Sequence, residues 1–157
     1  MKKNEVQNLI KDLIEKTNIS VQNIFISEEN PQNTWFAVEV SEPHFFTSRE
    51  GEALMALNHV VRKIIESKTP GAEDNPESGI LIDINGFQKK RIENLRAIAH
   101  MMAERARYFK SSIEVDPMSA FDRRIVHEFL SNAPDLKTES TGIGPRRHVV
   151  IKYIGEL

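Results

Sequence analysis

The sequence of 157 residues contains no cysteine and no long apolar run. The absence of cysteine excludes disulfides, zinc–thiolate sites, iron–sulfur clusters and catalytic thiols. Because the apolar runs are only a few residues long, no segment is expected to span a membrane. The N-terminal segment is charged and amphipathic and lacks the apolar core of a signal peptide, so we expect a soluble cytoplasmic protein.

Motifs of nucleotide-binding and hydrolytic enzymes are also missing from the sequence. It contains no P-loop, no Gly-x-Gly-x-x-Gly and no Gly-x-Ser-x-Gly motif, and its five histidines lack the spacing of a His-Glu-x-x-His metal site. No recognisable arrangement of carboxylates or general bases indicates a nuclease, which is the weakest of the alternative functions. Asp83 and Asp122 are expected to act as helix caps or through the helix dipole. We therefore expect a protein that is not an enzyme, with no metal and no cofactor.

The positive and negative charges are distributed unevenly along the chain. Apolar residues make up 39% and charged residues 28%, which is ordinary for a globular protein, and the net charge is −2. Residues 1–85 contain 8 Lys and Arg against 14 Asp and Glu, whereas residues 86–157 contain 13 against 9. A polyanionic ligand would be attracted to the second half. The alternative is that these mixed charges only solvate two surfaces.

Hydrophobic periodicity predicts an α+β protein. Apolar residues at helical spacing predict helices at 3–17, 50–67, 87–109 and 118–131. Runs rich in β-formers predict strands at 21–27, 34–40, 80–84, 113–115, 136–140 and 148–154. Turn-forming residues predict connections at 29–33 and 69–78. The resulting order is αββαβα followed by βαββ, and we expect the two modules to share the long helix.

The segment 121–130 presents a candidate phosphate-binding pair. Its apolar residues cover one face of a helix, while Arg123 and His127 are four residues apart and therefore adjacent at the edge of the other face. Arginine offers a planar fork of donors that suits phosphate, and histidine can donate a hydrogen bond or carry charge. Arg124, farther round the polar face, would add positive charge. The alternative interpretation is a solvated helix face.

The same region resembles the R-three-H domain, which is named after an Arg-x-x-x-His signature. The resemblance covers the runs PMSAFDRRIVHEFL, LKTESTG and GPRRHVVI, with Arg123 and His127 at the signature positions. Upstream, GILIDINGFQKKRIENLRAIAHMMAERA is similar to the strand and helix that precede this domain in the bacterial Jag (SpoIIIJ-associated) family. Members of that family have a KH-like domain before the R-three-H domain and are described as RNA-binding. The resemblance spans about residues 20–154.

The resemblance implies a KH-like αββαβα domain at 1–86, a shared helix at 87–110 and a small βαββ R-three-H domain at 111–157. It implies binding of single-stranded RNA, and also of single-stranded DNA, through the phosphate backbone, in a regulatory role. The residues expected at this site are Arg123, His127, Arg124, Arg146 and Arg147.

Arg146 and Arg147 precede the last predicted strand, beside the Arg-x-x-x-His helix according to the resemblance. Two adjacent strand residues point to opposite faces of a sheet, so we expect at most one of them to face the same ligand as Arg123. The alternative is an exposed charge that blocks pairing at a strand edge.

The KH-like half departs from the KH pattern at its phosphate-binding loop. A KH domain has a Gly-x-x-Gly loop before a helix, and the corresponding residues here are Ser48, Arg49, Glu50 and Gly51. Arg49 could contact phosphate, but Glu50 places negative charge where the ligand would lie. Because Ser48 also suits the N-cap of the following helix, we expect a degenerate loop that caps the helix and binds little RNA.

A protein-interaction module is the alternative function. In this hypothesis the KH-like half has lost nucleic-acid binding and forms a homodimer or binds a partner such as another KH protein. Neither hypothesis predicts an RNA sequence preference, because base contacts depend on geometry that no motif specifies.

Overall fold

The computed structural model of the chain describes residues 1–30, 33–69 and 79–155. The turn predicted at 29–33 lies partly outside the described residues, and the loop predicted at 69–78 lies outside them except for Thr69. The chain divides into two compact units, Met1–Lys89 and Lys90–Leu157. None of the described helices is long and apolar enough to cross a lipid bilayer.

The order of helices and strands confirms the predicted α+β class. The helices are α1 (Lys3–Glu15), α2 (His44–Thr47), α3 (Glu52–Lys68), α4 (Phe87–Phe109) and α5 (Ala120–Leu130). The strands are β1 (Val21–Asn30), β2 (Asn33–Val40), β3 (Gly79–Ile84), β4 (Ile113–Glu114), β5 (Leu136–Thr141) and β6 (His148–Tyr153). The unpredicted element is α2, whose four residues are too few to show a helical period.

The first unit is built on a three-stranded sheet in the order β1-β2-β3. Strands β1 and β2 are antiparallel, and β2 and β3 are parallel. Every second residue of β2 from Phe36 to Val40 is buried, which is the period expected of a strand with one face on a core. The core combines these residues with apolar side chains of α1, α3 and β3, among them Ile10, Ile14, Leu54, Val61 and Ile82.

The side-chain amide of Asn58 on α3 forms hydrogen bonds with main-chain groups on the outer side of β3. The Ile82 N–H donates to Asn58 Oδ1 at 2.8 Å, and Asn58 Nδ2 donates to the Ile82 carbonyl at 3.1 Å. Since β3 is an edge strand of this sheet, these groups would otherwise need water or another chain as their partner. One side-chain amide therefore satisfies both main-chain groups of Ile82.

The start of α4 is fixed by Asp83 at the end of β3. Its carboxylate accepts hydrogen bonds from the Gln88 N–H at 2.8 Å and the Lys89 N–H at 3.3 Å. These amides belong to the first turn of the helix, where no intrahelical acceptor is available. The sequence prediction that Asp83 caps a helix is confirmed.

The second unit contains an antiparallel sheet in the order β4-β6-β5 and the helix α5. Its core combines small side chains of α4 with larger apolar side chains of α5, β5 and β6. The buried members are Ala99, Ala103, Ala106, Val115, Val126, Leu130, Leu136, Val149 and Ile151. Alanine at every third or fourth position of α4 gives the helix a narrow apolar stripe.

A buried ion pair connects α4 to α5 within the second unit. Arg91 Nη2 donates to Asp122 Oδ2 at 2.7 Å, and Arg91 Nε donates to Asp122 Oδ1 at 3.1 Å. The Asp122 side chain is only 7% exposed. The N-cap of α5 is Ser119, whose hydroxyl accepts from the Asp122 N–H at 3.2 Å. Asp122 lies in the first turn of α5, where a negative charge favours the helix dipole as expected, and its carboxylate is in addition the partner of Arg91.

Arg91→Ala should destabilise the second unit by about 3 kcal/mol, because the buried Asp122 carboxylate would lose its counterion. Urea unfolding followed by circular dichroism measures this change. Arg105→Ala removes an exposed arginine from the same helix and should change the free energy of unfolding by less than about 0.5 kcal/mol. Indistinguishable unfolding of the two variants would contradict a structural role for the ion pair.

Candidate nucleic-acid interface

Helix α5 places Arg123 and His127 on neighbouring turns, and each side chain is held by one hydrogen bond. Arg123 Nη1 donates to the Met118 carbonyl at 2.7 Å, and His127 Nδ1 lies 2.7 Å from the Thr138 hydroxyl of β5. Both side chains are half-buried. Each side chain is therefore partly exposed to solvent and is tied to the second unit by a hydrogen bond.

The main chain of Met118 links Arg123 to Arg147. The Met118 carbonyl accepts from the Arg123 guanidinium, and the Met118 N–H donates to the Arg147 carbonyl at 3.2 Å. Two arginines that are 24 positions apart along the chain are thus bound to the same residue, Arg123 through its guanidinium and Arg147 through its main-chain carbonyl.

The side chain of Arg147 faces the same side of the sheet as the Thr138 partner of His127. Thr138 and Ser140 pair with Ile151 and Val149, which are fully buried on the core face. Arg147 Nε donates to the Ser140 hydroxyl at 3.0 Å. Because Thr138 and Ser140 are two positions apart on one strand, their hydroxyls lie on one face about 7 Å apart. Arg123, His127 and Arg147 therefore form one surface, termed here the basic surface.

The comparisons with known proteins identify the region that carries this surface. Residues 93–153 match the R-three-H domain family. The chain carries an R-three-H domain. The match includes most of α4 as well as α5 and the second sheet, and both residues of the Arg-x-x-x-His signature lie within it. The resemblance indicated by the sequence motifs is confirmed.

Most of the chain is also similar to bacterial proteins named RNA-binding protein KhpB. Identity is 25% with the Bacillus subtilis protein over 150 residues, 94% of this chain and 67% of the relative. It is 27% with the Clostridium symbiosum protein over 103 residues, 66% of this chain and 44% of the relative. For the Streptococcus pneumoniae protein it is 24% over 146 residues, 93% of this chain and 41% of the relative. The chain thus spans less than half the length of two of these relatives.

The electrostatics of the R-three-H domain favour a neutral His127. Burial lowers the pKa of His127 below its ordinary value of 6.5, and the positive charge of Arg123 lowers it further. At neutral pH the imidazole is therefore uncharged and can still donate one hydrogen bond. An anion bound at the basic surface would oppose both effects, because it would stabilise the imidazolium.

Arg124 forms an ion pair with Glu128 and makes no described contact with the residues of the basic surface. Its Nε donates to Glu128 Oε1 at 2.8 Å, one turn along α5. Glu128 also lines a shallow cleft of about 300 Å³ with Arg96, Ile125 and Phe129. Arg124 is therefore paired with a residue of this cleft, and the carboxylate offsets its charge.

Arg146 and Arg147 differ in their surroundings. Arg146 ends a 3-10 turn (Gly144–Arg146) and Arg147 comes directly before β6, so neither lies in a strand and strand alternation does not separate them. Arg147 reaches Ser140, whereas the exposed Arg146 side chain has no hydrogen-bond or ion-pair partner in the part of the chain that the structure describes. The structure thus brings Arg147 to Arg123 and leaves Arg146 at the margin.

The loop of the first unit has a conformation that the sequence did not predict. Ser48 is extended and caps no helix through its side chain; the N-cap of α3 is Gly51. The prediction of a Ser48 cap was therefore wrong. Arg49, Glu50 and Gly51 all have positive φ, at 50°, 58° and 80°, and form a left-handed turn that delays the start of α3 until Glu52.

Gly51 is required at this turn for packing. A Cβ atom at this position would lie 2.5 Å from Cε1 of Phe87. The second glycine of the Gly-x-x-Gly pattern is thus explained by a contact inside the first unit. Arg49 makes a long ion pair with Glu52, 4.0 Å between Nη1 and Oε2, and both side chains are largely exposed.

Three contributors to the basic surface were missed from the sequence. Thr138 and Ser140 are polar residues of a strand whose relation to α5 depends on packing, and Met118 contributes only main-chain atoms. The alternation of hydroxyl residues along β5 is the one sequence signal that could have indicated Thr138 and Ser140.

We expect an NMR titration to give His127 a pKa below 6.5, and Arg123→Ala to raise it, because a neighbouring positive charge is removed. Arg105→Ala should leave it unchanged. Since the folded-state pKa is depressed, His127 contributes stability that is present above pH 6.5 and is lost as the pH falls through the folded-state pKa. A pKa of 6.5 or more in the unsubstituted chain would contradict this account.

Proposed function

We propose that the protein binds single-stranded RNA, and that the basic surface of its R-three-H domain holds the phosphate backbone, in a regulatory rather than catalytic role. The observation that carries the proposal is the convergence of Arg123, His127 and Arg147 through Met118, Thr138 and Ser140. The names of the KhpB relatives, which are described as RNA-binding, support an RNA ligand. The cytoplasm, expected from the sequence, is where such a ligand occurs.

The chemistry of the basic surface suits phosphate. Arg123 and Arg147 hydrogen-bond to carbonyl and hydroxyl oxygens, which leave the guanidinium charges uncompensated. Each guanidinium also has more N–H donors than these bonds use. Charge-assisted bonds from arginine to phosphate are short and strong, and the planar fork can hold two phosphate oxygens at once.

The remaining cations extend the proposed site without defining it. Arg146 is exposed next to Arg147 and can contact a neighbouring phosphate, while Arg124 is the weakest candidate because Glu128 offsets its charge. Single-stranded DNA carries the same phosphates and is proposed as a second ligand. Discrimination between the two would need a contact to the 2′-hydroxyl.

Residues 1–86 are proposed to be a KH-like scaffold that adds little RNA affinity. The left-handed turn of Arg49 and Glu50 places a carboxylate residue in the loop, and Gly51 is accounted for by packing on Phe87. A homodimer or a KH partner formed through this half stays a prediction from the sequence, with no described contact that favours it.

Arg123→Ala and Arg147→Ala should each weaken RNA binding, because each removes a phosphate contact. Fluorescence anisotropy with a labelled ten-nucleotide single-stranded RNA, measured over a range of salt concentrations, tests this. Each substitution should lower the magnitude of the log–log salt slope by about 0.7. Arg49→Ala in the loop of the first unit should leave the affinity unchanged.

Arg105→Ala is the matched control, because it removes one exposed arginine from the same unit. Circular dichroism should show that all variants are folded. Folded Arg123→Ala and Arg147→Ala proteins with unchanged affinity and salt slope would refute the assignment of this surface.

RNA binding should strengthen as the pH falls from about 7.5 to about 6. Phosphate near His127 stabilises the imidazolium, so the bound state has the higher pKa and binding takes up a proton. Anisotropy at a series of pH values tests this, and His127→Gln should abolish the pH dependence while keeping a hydrogen-bond donor. Equal pH dependence in both proteins would show that another group is responsible.

A further inference from the structure

Ile143 is the most exposed large apolar side chain among the described residues. It lies between β5 and β6 and is 91% exposed. An isoleucine in this position gains nothing from the core of its own unit, and a single exposed apolar residue is by itself ordinary. This isoleucine differs from an ordinary exposed apolar residue because it lies in a turn that is held by hydrogen bonds directly beside the basic surface.

The turn that carries Ile143 is held by several contacts. The Arg146 N–H donates to the Ile143 carbonyl at 3.4 Å, and the Arg147 N–H donates to the Gly144 carbonyl at 3.1 Å. His148 Nδ1 donates to the Arg146 carbonyl at 2.9 Å. Below the turn, Thr141 pairs with His148 and closes the two strands.

Gly142 lets this turn fold back closely on its own backbone. Its φ is +95°, and a Cβ atom there would lie 3.0 Å from the Arg146 carbonyl oxygen and 3.1 Å from the Arg147 Cα. A residue with a side chain would therefore be strained and would push the two arms of the turn apart. The close approach fixes Ile143 relative to the backbone of Arg147.

Arg147 connects this turn to the basic surface. Its Nη1 lies 3.5 Å from the Gly142 carbonyl, and its Nε donates to Ser140. The guanidinium thus rests against the residue that precedes Ile143. A phosphate bound by Arg147 would bring the attached nucleotide next to the turn that carries Ile143.

We propose that Ile143 contacts the face of an unpaired nucleobase whose phosphate is held by Arg147. This inference rests on the proposed function and adds a base contact to it. Isoleucine offers an apolar surface to the face of a base, and its branched Cβ restricts χ1, so that little side-chain entropy is lost on binding. Bases within a duplex are covered on both faces by their neighbours, so the contact selects single-stranded ligands.

The test uses the full chain, a labelled ten-nucleotide single-stranded RNA of mixed sequence, and an abasic oligomer with the same number of phosphates. Ile143→Ala should weaken binding of the RNA about 5- to 10-fold, the lower end of the range for a base stacked on an aromatic side chain, because isoleucine has no ring. It should leave the salt slope and the affinity for the abasic oligomer unchanged. Arg147→Ala is the matched comparison and should weaken binding of both oligomers.

The outcomes separate this inference from the proposed function. Failure of the folded, unsubstituted chain to bind the RNA at low salt would overturn both. RNA binding by that chain, together with equal affinity of Ile143→Ala, would overturn only the base contact. A loss of the same size for RNA and abasic oligomer would also overturn it, since the effect would then come from the shape of the turn. Ile143→Val, which keeps the branched Cβ, should retain most of the affinity.

Discussion

The R-three-H domain depends on one buried carboxylate. Asp122 sits in the first turn of α5, where its own N–H is capped by Ser119, and its side chain is enclosed against Arg91 of α4. A buried ion pair with two hydrogen bonds adds little net stability, but it penalises every arrangement that separates its members. Because Asp122 directly precedes Arg123, the same pair that joins the two helices also sets where the residues of the basic surface begin.

Ion pairing decides which cations of the second unit are open to a ligand. Arg91, Arg107 and Arg124 each donate to carboxylates, and the hydrogen bond from Arg107 holds the pKa of Asp135 below its ordinary value. Arg123 and Arg147 instead donate to neutral oxygens. The guanidinium charges of the basic surface are therefore not offset by a carboxylate, in contrast to those of Arg91, Arg107 and Arg124.

The sequence predicted the features that depend on local order along the chain. The period of apolar residues located the helices and strands, and the four-residue spacing brought Arg123 next to His127. Contacts between residues that are distant along the chain were not predictable. Examples are the ion pair of Arg91 with Asp122 and the hydrogen bond from Arg147 to Ser140 across a hairpin. Ser48 was wrongly predicted as the N-cap because serine is a typical N-cap residue, and the sequence did not indicate the left-handed turn that separates it from α3.

The link between Arg123 and Arg147 has a consequence for how the site can change in evolution. It passes through the carbonyl and the N–H of Met118, so replacement of the Met118 side chain leaves both hydrogen bonds available. Proline is the exception, since it has no N–H to donate. The residue at this position can therefore vary to suit the packing of the core beneath it without loss of either hydrogen bond to the two arginines.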